Sequence, residues 1–203
     1  MTCTLFVHCS PHRGQAHGYR LAQEILRHIS RHDAQAAVLE RDLTCPALPP
    51  LDAGYAAALT GNAPAHDARF TLSEHLIGEL ERSDRTLIAL PMHNFAVPAA
   101  FKLWIDYVVR IHRSFAPTAQ GKAGLLADRP TTMLVSSGGF HRGTHAQPDF
   151  LSPYVQQVLA TIGIRDVTFH YLQGLTCDAA TTATTLDAVR DQLRSAGLLD
   201  QPA

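Results

Sequence analysis

The sequence predicts an α/β fold in which an open, five-stranded parallel sheet carries helices on both faces. Three observations lead there. Short apolar runs alternate with segments of one-face helical spacing along almost the whole chain. The runs L-F-V, L-I-A-L and M-L-V show no polar alternation, which is the pattern of strands covered on both sides. Strands separated by helix-length segments pair in parallel, because each crossover is right-handed and returns to the same sheet.

Each element has its own signal. Leu5, Phe6 and Val7 form the first strand, which empties into a loop holding Ser10, Pro11, Gly14 and Gly18. A helix starts at about His17, with Leu21, Ala22, Ile25, Leu26 and Ile29 on one face, and ends near His32 and Asp33. A short strand follows at Ala36–Leu39. Residues 45–65, rich in Pro, Ala and Gly, read as a long loop with one short helical piece. Phe70, Leu72, Leu76, Ile77 and Leu80 mark the next helix, and Arg85–Leu90, closed by Pro91, the next strand. The helix beginning at Pro98 is apolar on two sides: Leu103, Trp104, Tyr107, Val108 and Ile111 on one, Phe101, Ile105 and Val109 on the other. Two apolar sides need two things to pack against, the sheet and a second subunit, so a homodimer through residues 98–112 is expected.

Residues 114–129 read as a loop or hairpin excursion with turns at Gly121 and Gly124. Thr131–Val135 is the fourth sheet strand. Phe150, Leu151, Tyr154, Val155, Val158, Leu159 and Ile162 give a helix that Gly163 ends at a C-cap position. Val167–Leu172 is the last strand. Leu186, Val189 and Leu193 support a C-terminal helix ended by Gly197, after a short Ala/Thr tract at 179–185. Five strands in this arrangement correspond to the flavodoxin-like three-layer sandwich, order 2-1-3-4-5, as one domain over residues 1–203. Such a sheet binds its ligand at the carboxyl ends of the strands, beside the switch point.

Bulk properties exclude several classes. With 17 Lys+Arg against 18 Asp+Glu, there is no electrostatic case for nucleic acid or an anionic membrane. Cys3, Cys9, Cys45 and Cys177 are scattered without a C-x-x-C, which suits buried free thiols in a reducing compartment. The chain enters its first strand without a secretory-type segment, and no apolar stretch reaches membrane-spanning length, so a cytoplasmic location is expected. His28 and His32 stand i, i+4 on a helix, but I-S-R between them lacks the glutamate of a zinc hydrolase motif, and both are expected to face solvent. His141 and His145 share a loop with no carboxylate or cysteine to complete a metal set, so no metal is expected. P-loop, G-x-G-x-x-G and G-x-S-x-G motifs are absent.

Three loops leave adjacent strand ends carrying unusual residues: Ser10–Gly18, Pro91–Val97 and Ser136–Gly143. Their convergence is the functional signal, since each alone is an ordinary turn. The first suits a phosphate, through backbone N–H groups at a helix N-terminus and the Ser10 hydroxyl. Met92, Asn94 and Phe95 suit a planar ring system, and Gly138 and Gly139 leave room for a ring edge to approach.

At these loops the chain resembles the FMN-dependent NAD(P)H azoreductases and their quinone reductase relatives. P-M-H-N-F-A-V-P-A-A-F-K-L-W-I-D is similar to that family's P-M-x-N-F…P…L-K-x-x-x-D segment, and S-S-G-G-F-H matches in kind and place. The resemblance implies an FMN lined by Ser10, Met92, His93, Asn94, Phe95, Ser136, Ser137, Gly138 and Gly139, with Ala16, His17 and Gly18 at its phosphate. It implies hydride transfer from NADH or NADPH through flavin N5 to an azo compound or quinone in two half-reactions. The negative charge at the flavin's N1–O2 edge would be met by the Gly138 and Gly139 N–H groups or by His141, the candidate proton donor. The family's S-x-S phosphate loop is here Ala16-His17-Gly18, and its usual tyrosine is His93. The alternative reading is a non-enzymatic flavodoxin-type electron carrier or flavin-responsive regulatory module. A carrier ordinarily has a strongly acidic docking face, which this near-neutral chain does not offer.

Overall fold

Alternation along the first strand decides the layering. In the computed structural model, which describes residues 2–144 and 146–201, Leu5 and Val7 point to one side of strand β1 (Cys3–His8) and Phe6 to the other. On the Phe6 side lies α1 (His17–His32), which buries Leu21, Ala22, Ile25, Leu26 and Ile29. The chain then returns as β2 (Ala37–Asp42), which starts one residue later and runs three residues further than expected. Its Glu40-Arg41-Asp42 end is polar because β2 is an edge strand, hydrogen-bonded to β1 alone, so apolar patterning under-reads it. The proline-rich segment holds one helix, α2 (Ala53–Thr60), whose first turn is capped by Asp52 accepting from the Tyr55 N–H at 2.7 Å.

Helix α3 (Thr71–Glu81), strand β3 (Arg85–Pro91) and helix α4 (Ala99–Val108) follow. Helix α4 stops short of Ile111, and Phe101, Trp104, Ile105, Tyr107 and Val108 are all buried within this one chain. Both apolar sides are therefore covered internally, one by the sheet and the other by α3 and the α2 region. The double-sided pattern thus does not by itself require a second subunit. The hairpin expected at 114–129 is β4 (Phe115–Thr118) and β5 (Gly121–Gly124). Gly124 is not its turn: a Cβ there would lie 2.2 Å from the Gly163 nitrogen, so the hairpin seats directly on a helix end.

Strand β6 (Thr131–Ser136), helix α5 (Leu151–Ile162), strand β7 (Val167–Leu172) and helix α6 (Ala179–Ser195) complete the chain. Helix α6 absorbs the Ala/Thr tract as its first half, because Asp178 caps it by accepting from the Thr181 N–H. The sheet is parallel throughout in the order β2-β1-β3-β6-β7. Setting the hairpin aside, this is the expected 2-1-3-4-5. Helices α1 and α6 cover one face, and α3, α4 and α5 pack with Leu5, Val7, Ile88, Leu90, Met133 and Val135 on the other. No helix among the described residues is long and apolar enough to cross a membrane.

Candidate active site

The end of β1 and the start of α1 build the first part of the site. After His8 the chain turns through Ser10, whose carbonyl accepts from the Arg13 N–H and whose hydroxyl accepts from the His12 N–H. A short 3-10 turn at Arg13–Gln15 delivers Ala16 in extended conformation to the N-cap of α1. No side chain caps this helix, and its first turn holds no acidic residue. Arg20 N–H is the first to find a helical acceptor, Ala16 O at 3.0 Å. The N–H groups of His17, Gly18 and Tyr19 therefore have no protein acceptor among the described residues. They stand beside a cavity of about 340 Å³ lined by Ser10, Ala16, His17, Gly18, Pro91 and Ser136, together with His8, His12, Tyr19 and Leu175. Unpaired donors at the positive end of a helix, without a competing carboxylate, fit a phosphate.

Gly18 has a second duty. A Cβ there would lie 2.9 Å from Ser136 Oγ, so a glycine lets the helix N-terminus close onto the end of β6. His8 is buried, with Nε2 2.9 Å from Glu40 Oε1 and Nδ1 lacking any hydrogen-bond partner. That nitrogen lies 3.8 Å from Asp42 Oδ1, beyond hydrogen-bond distance. Cys9 is buried behind this loop, and burial, reinforced by the Asp42 charge, pushes its thiol up to about 12. It is an inert core thiol.

The second and third loops do converge. Met92 N–H donates to Ser136 O at 2.7 Å, and Phe150 N–H to Phe95 O at 3.0 Å. His93 and Ala96 exchange backbone hydrogen bonds around Asn94 and Phe95, both at positive φ (48° and 69°). This tight turn leaves the Asn94 and Phe95 N–H groups without protein acceptors among the described residues. A phenylalanine in the left-handed region is costly, and such residues cluster at ligand sites.

The third loop departs from its sequence reading in three ways. The Cβ spaces of Gly138 and Gly139 are filled by Thr176 and Gln147, at 2.7 Å each, so both glycines are first of all needed for packing within the protein. Their N–H groups nevertheless have no acceptor among the described residues. Ser137 is engaged on both backbone sides, donating to Leu172 O and accepting from Leu175 N–H, and has no free backbone group for a ring. His141 is no solvated loop residue. It is 5 % exposed, with Nδ1 2.9 Å from Pro148 O and its ring edge-on to Phe95 at 6.1 Å. A carbonyl only accepts, so Nδ1 carries a proton and Nε2 is left outside this bond. His145 lies outside the described residues.

A fourth loop, residues 173–177 after β7, also belongs to the site. It carries Leu175 into the cavity, and its Gly174 N–H and Thr176 Oγ1 donate to Gly139 O and Gly138 O. The sequence signal was its place after a parallel strand. Three exposed phenylalanines, Phe95, Phe140 and Phe150, occur in or beside these loops.

Residues 2–196 match the family model described as flavodoxin-like fold. The chain belongs to this flavodoxin-like family. Among curated relatives of this flavodoxin-like chain, FMN-dependent NADH:quinone oxidoreductase 4 of Pseudomonas fluorescens is 52% identical over 194 residues, covering 95% of this chain and 94% of the relative. FMN-dependent NADH:quinone oxidoreductase 5 of Burkholderia lata is 50% identical over 204 residues, covering 100% and 98%. Among solved structures, an FMN-dependent NADH-azoreductase from Bacillus anthracis in complex with FMN superposes with TM-score 0.80 at 17% identity, covering 97% of this chain and 99% of that one. At that identity the likeness speaks for the fold. The resemblance drawn from P-M-H-N-F is borne out by the curated relatives.

Proposed function

We propose that this chain is an FMN-dependent NADH oxidoreductase that reduces quinones and azo compounds. The observation that carries this reading is one rim where three strand-end loops meet, each offering unpaired backbone donors. Relatives of about half-identical sequence named as FMN-dependent NADH:quinone oxidoreductases support it, and they disfavour a carrier or regulatory module. When bound, FMN supplies a two-electron carrier between NADH and the acceptor.

The chain's own residues do the rest. The first-turn N–H groups of α1 and the Ser10 hydroxyl hold the phosphate, with the imidazoles of His12 and His17 at the same cavity. Ala16 and Gly18 bring no hydroxyl, so the helix end carries most of the load. Met92 and Phe95 wall the ring system, while the N–H groups of Asn94, Phe95, Gly138 and Gly139 donate to its heteroatoms. His93 and Ser136 complete the lining, and Ser137 supports it from behind. His141, held by Pro148 and Phe95, is the candidate proton donor at the ring edge. Phe140 and Phe150 present apolar surface to a planar acceptor.

We also infer a cytoplasmic homodimer. The four cysteines are free, in keeping with a reducing compartment, but only Cys9 is buried. Cys45 and Cys177 are exposed, since each lies in a surface loop, and so are not the buried thiols expected from sequence. An apolar groove between α2, α4 and α5, lined by Leu51, Leu59, Val109, Tyr154 and Val158, is suited to a second copy.

The function is tested by adding FMN to the purified chain. One equivalent should bind, lose its visible absorbance with NADH, and regain it with a benzoquinone. A chain that binds no FMN, or whose bound FMN is not reduced by NADH, would overturn the reading.

A further inference from the structure

The far end of α1 holds a constellation that the flavin site does not use. His28 and His32 stand one turn apart near the C-terminus of the helix, ring centroids 4.4 Å apart. The chain's C-terminal segment brings Asp200 onto them: its Oδ1 lies 2.8 Å from His28 Nδ1 and 2.8 Å from His32 Nε2. The three ligand-type atoms all fall within 4.8 Å of one another. His28 is not the solvent-facing residue expected from sequence; its side chain is 14% exposed. By the helical rise, the cluster lies on the order of 16 Å or more from the N-terminal turn of α1, so it is separate from the phosphate cradle.

We propose that His28, His32 and Asp200 form a binding site for a divalent transition-metal ion of the zinc class, which fastens the C-terminal segment to α1. Two imidazoles at i, i+4 and one carboxylate oxygen are an N₂O donor set of the kind zinc accepts, with a fourth position open to water. Bond lengths of about 2.0–2.2 Å place one ion between three atoms at these separations after a small opening of the imidazole–carboxylate contacts. The carboxylate is oriented from behind. Arg31 Nη2 holds Oδ2 at 2.6 Å and Arg194 Nε donates to the Asp200 carbonyl at 3.2 Å, leaving Oδ1 toward the imidazoles. The negative end of the α1 dipole favours a cation here. The two guanidinium groups oppose it, which sets the expected dissociation constant on the order of micromolar, well above that of closed structural zinc sites. Leu198 and Leu199 pack against the α1–α6 core, so the ion would close an attachment that apolar contact already begins.

The probe is ZnCl₂ alone, titrated calorimetrically into the untagged full chain. Wild type is compared with His28→Ala/His32→Ala, His32→Gln and Asp200→Asn, and circular dichroism without zinc checks that each variant folds. Wild type should bind one more equivalent than the double variant, and its melting temperature should rise with zinc. Asp200→Asn and His32→Gln should each weaken that equivalent at least tenfold. These two variants lie at the end of the chain and at an exposed position, so they remain informative if the double variant fails to fold. Isotherms that superimpose on wild type would show a clasp of ion pairs only and overturn the proposal. Undiminished binding by Asp200→Asn would overturn the three-ligand site.

Discussion

Gly18 shows how one residue serves two constraints. The missing Cβ admits Ser136 Oγ, which brings the α1 N-terminus against β6 and aims its free N–H groups at the cavity. Gly18→Ala should cost about 1–2 kcal/mol of stability, typical of overpacking against a short, rotatable side chain. Adding Ser136→Ala should restore most of that loss in denaturant melts; two simply additive losses would show that the contact is not the cause. Phe95 tests the opposite trade. Replacing this half-exposed, positive-φ residue with asparagine should stabilise the chain by about 1 kcal/mol while weakening FMN binding. A variant of lower stability and unchanged FMN affinity would contradict both halves of that expectation. At this scale the sequence disclosed residue types and loop membership but not tautomers or contacts. The burial of His141 could not be read, because it depends on its loop folding back through Pro148 and on Phe95 arriving from another segment. For the same reason Gly138 and Gly139 read as space for a ring, when Thr176 and Gln147 fill that space.

Among the elements, the start of α5 depends on one carboxylate. Asp149 Oδ1 accepts the N–H groups of Leu151 and Ser152, at 2.9 and 3.0 Å. Its Oδ2 accepts from Tyr171 Oη at 2.5 Å, Ser152 Oγ at 2.7 Å and Arg142 Nη2 at 2.8 Å. Burial alone would raise this carboxyl, but the hydrogen bonds and the guanidinium outweigh it and hold it at about 2. Burial, then the same carboxylate, pushes the Tyr171 phenol up to about 12. A carboxyl depressed in the folded state contributes stability above its unfolded value of about 3.9 and loses it as pH falls through the folded value. Asp149→Asn should therefore cost about 1–2 kcal/mol at pH 7, with the gap to wild type closing between pH 5 and pH 2. Urea midpoints across that range measure it, and a gap independent of pH would refute it. The β4–β5 hairpin makes a harsher demand. At Gly163, φ is 110° and a Cβ would lie 2.3 Å from Leu126 O, while Gly124 meets the Gly163 backbone itself. Backbone cannot rotate aside, so Gly124→Ala should cost about 3 kcal/mol or more in a thermal melt. The sequence marked both glycines but read Gly124 as a turn, since the close approach joins segments far apart in the chain.

For the whole molecule, the strand order was legible because buried parallel strands write themselves as apolar runs, and only a few sheets accommodate five of them. The quaternary expectation was less secure, since α4 satisfies both of its apolar sides inside the chain. The groove between α2, α4 and α5 gives that expectation a different footing. Val158→Glu, on the outer side of α5, should shift a dimer to monomer in sedimentation while leaving the melt of dilute protein nearly unchanged. A wild-type chain that sediments as a monomer at micromolar concentration would remove the dimer altogether. Of the two edge strands, β7 and β2, only β2 ends in a charged run. Its outer row of N–H and C=O groups is a template for strand addition, the route by which sheets aggregate. Glu40, Arg41 and Asp42 stand at that edge, tied to His8, Glu79 and Thr44, so a strand docking there would strip water from these charges. The same polar run that hid the end of this strand from hydrophobic patterning should hinder strand addition there, and a neutral β2 edge should make the chain scatter light on refolding.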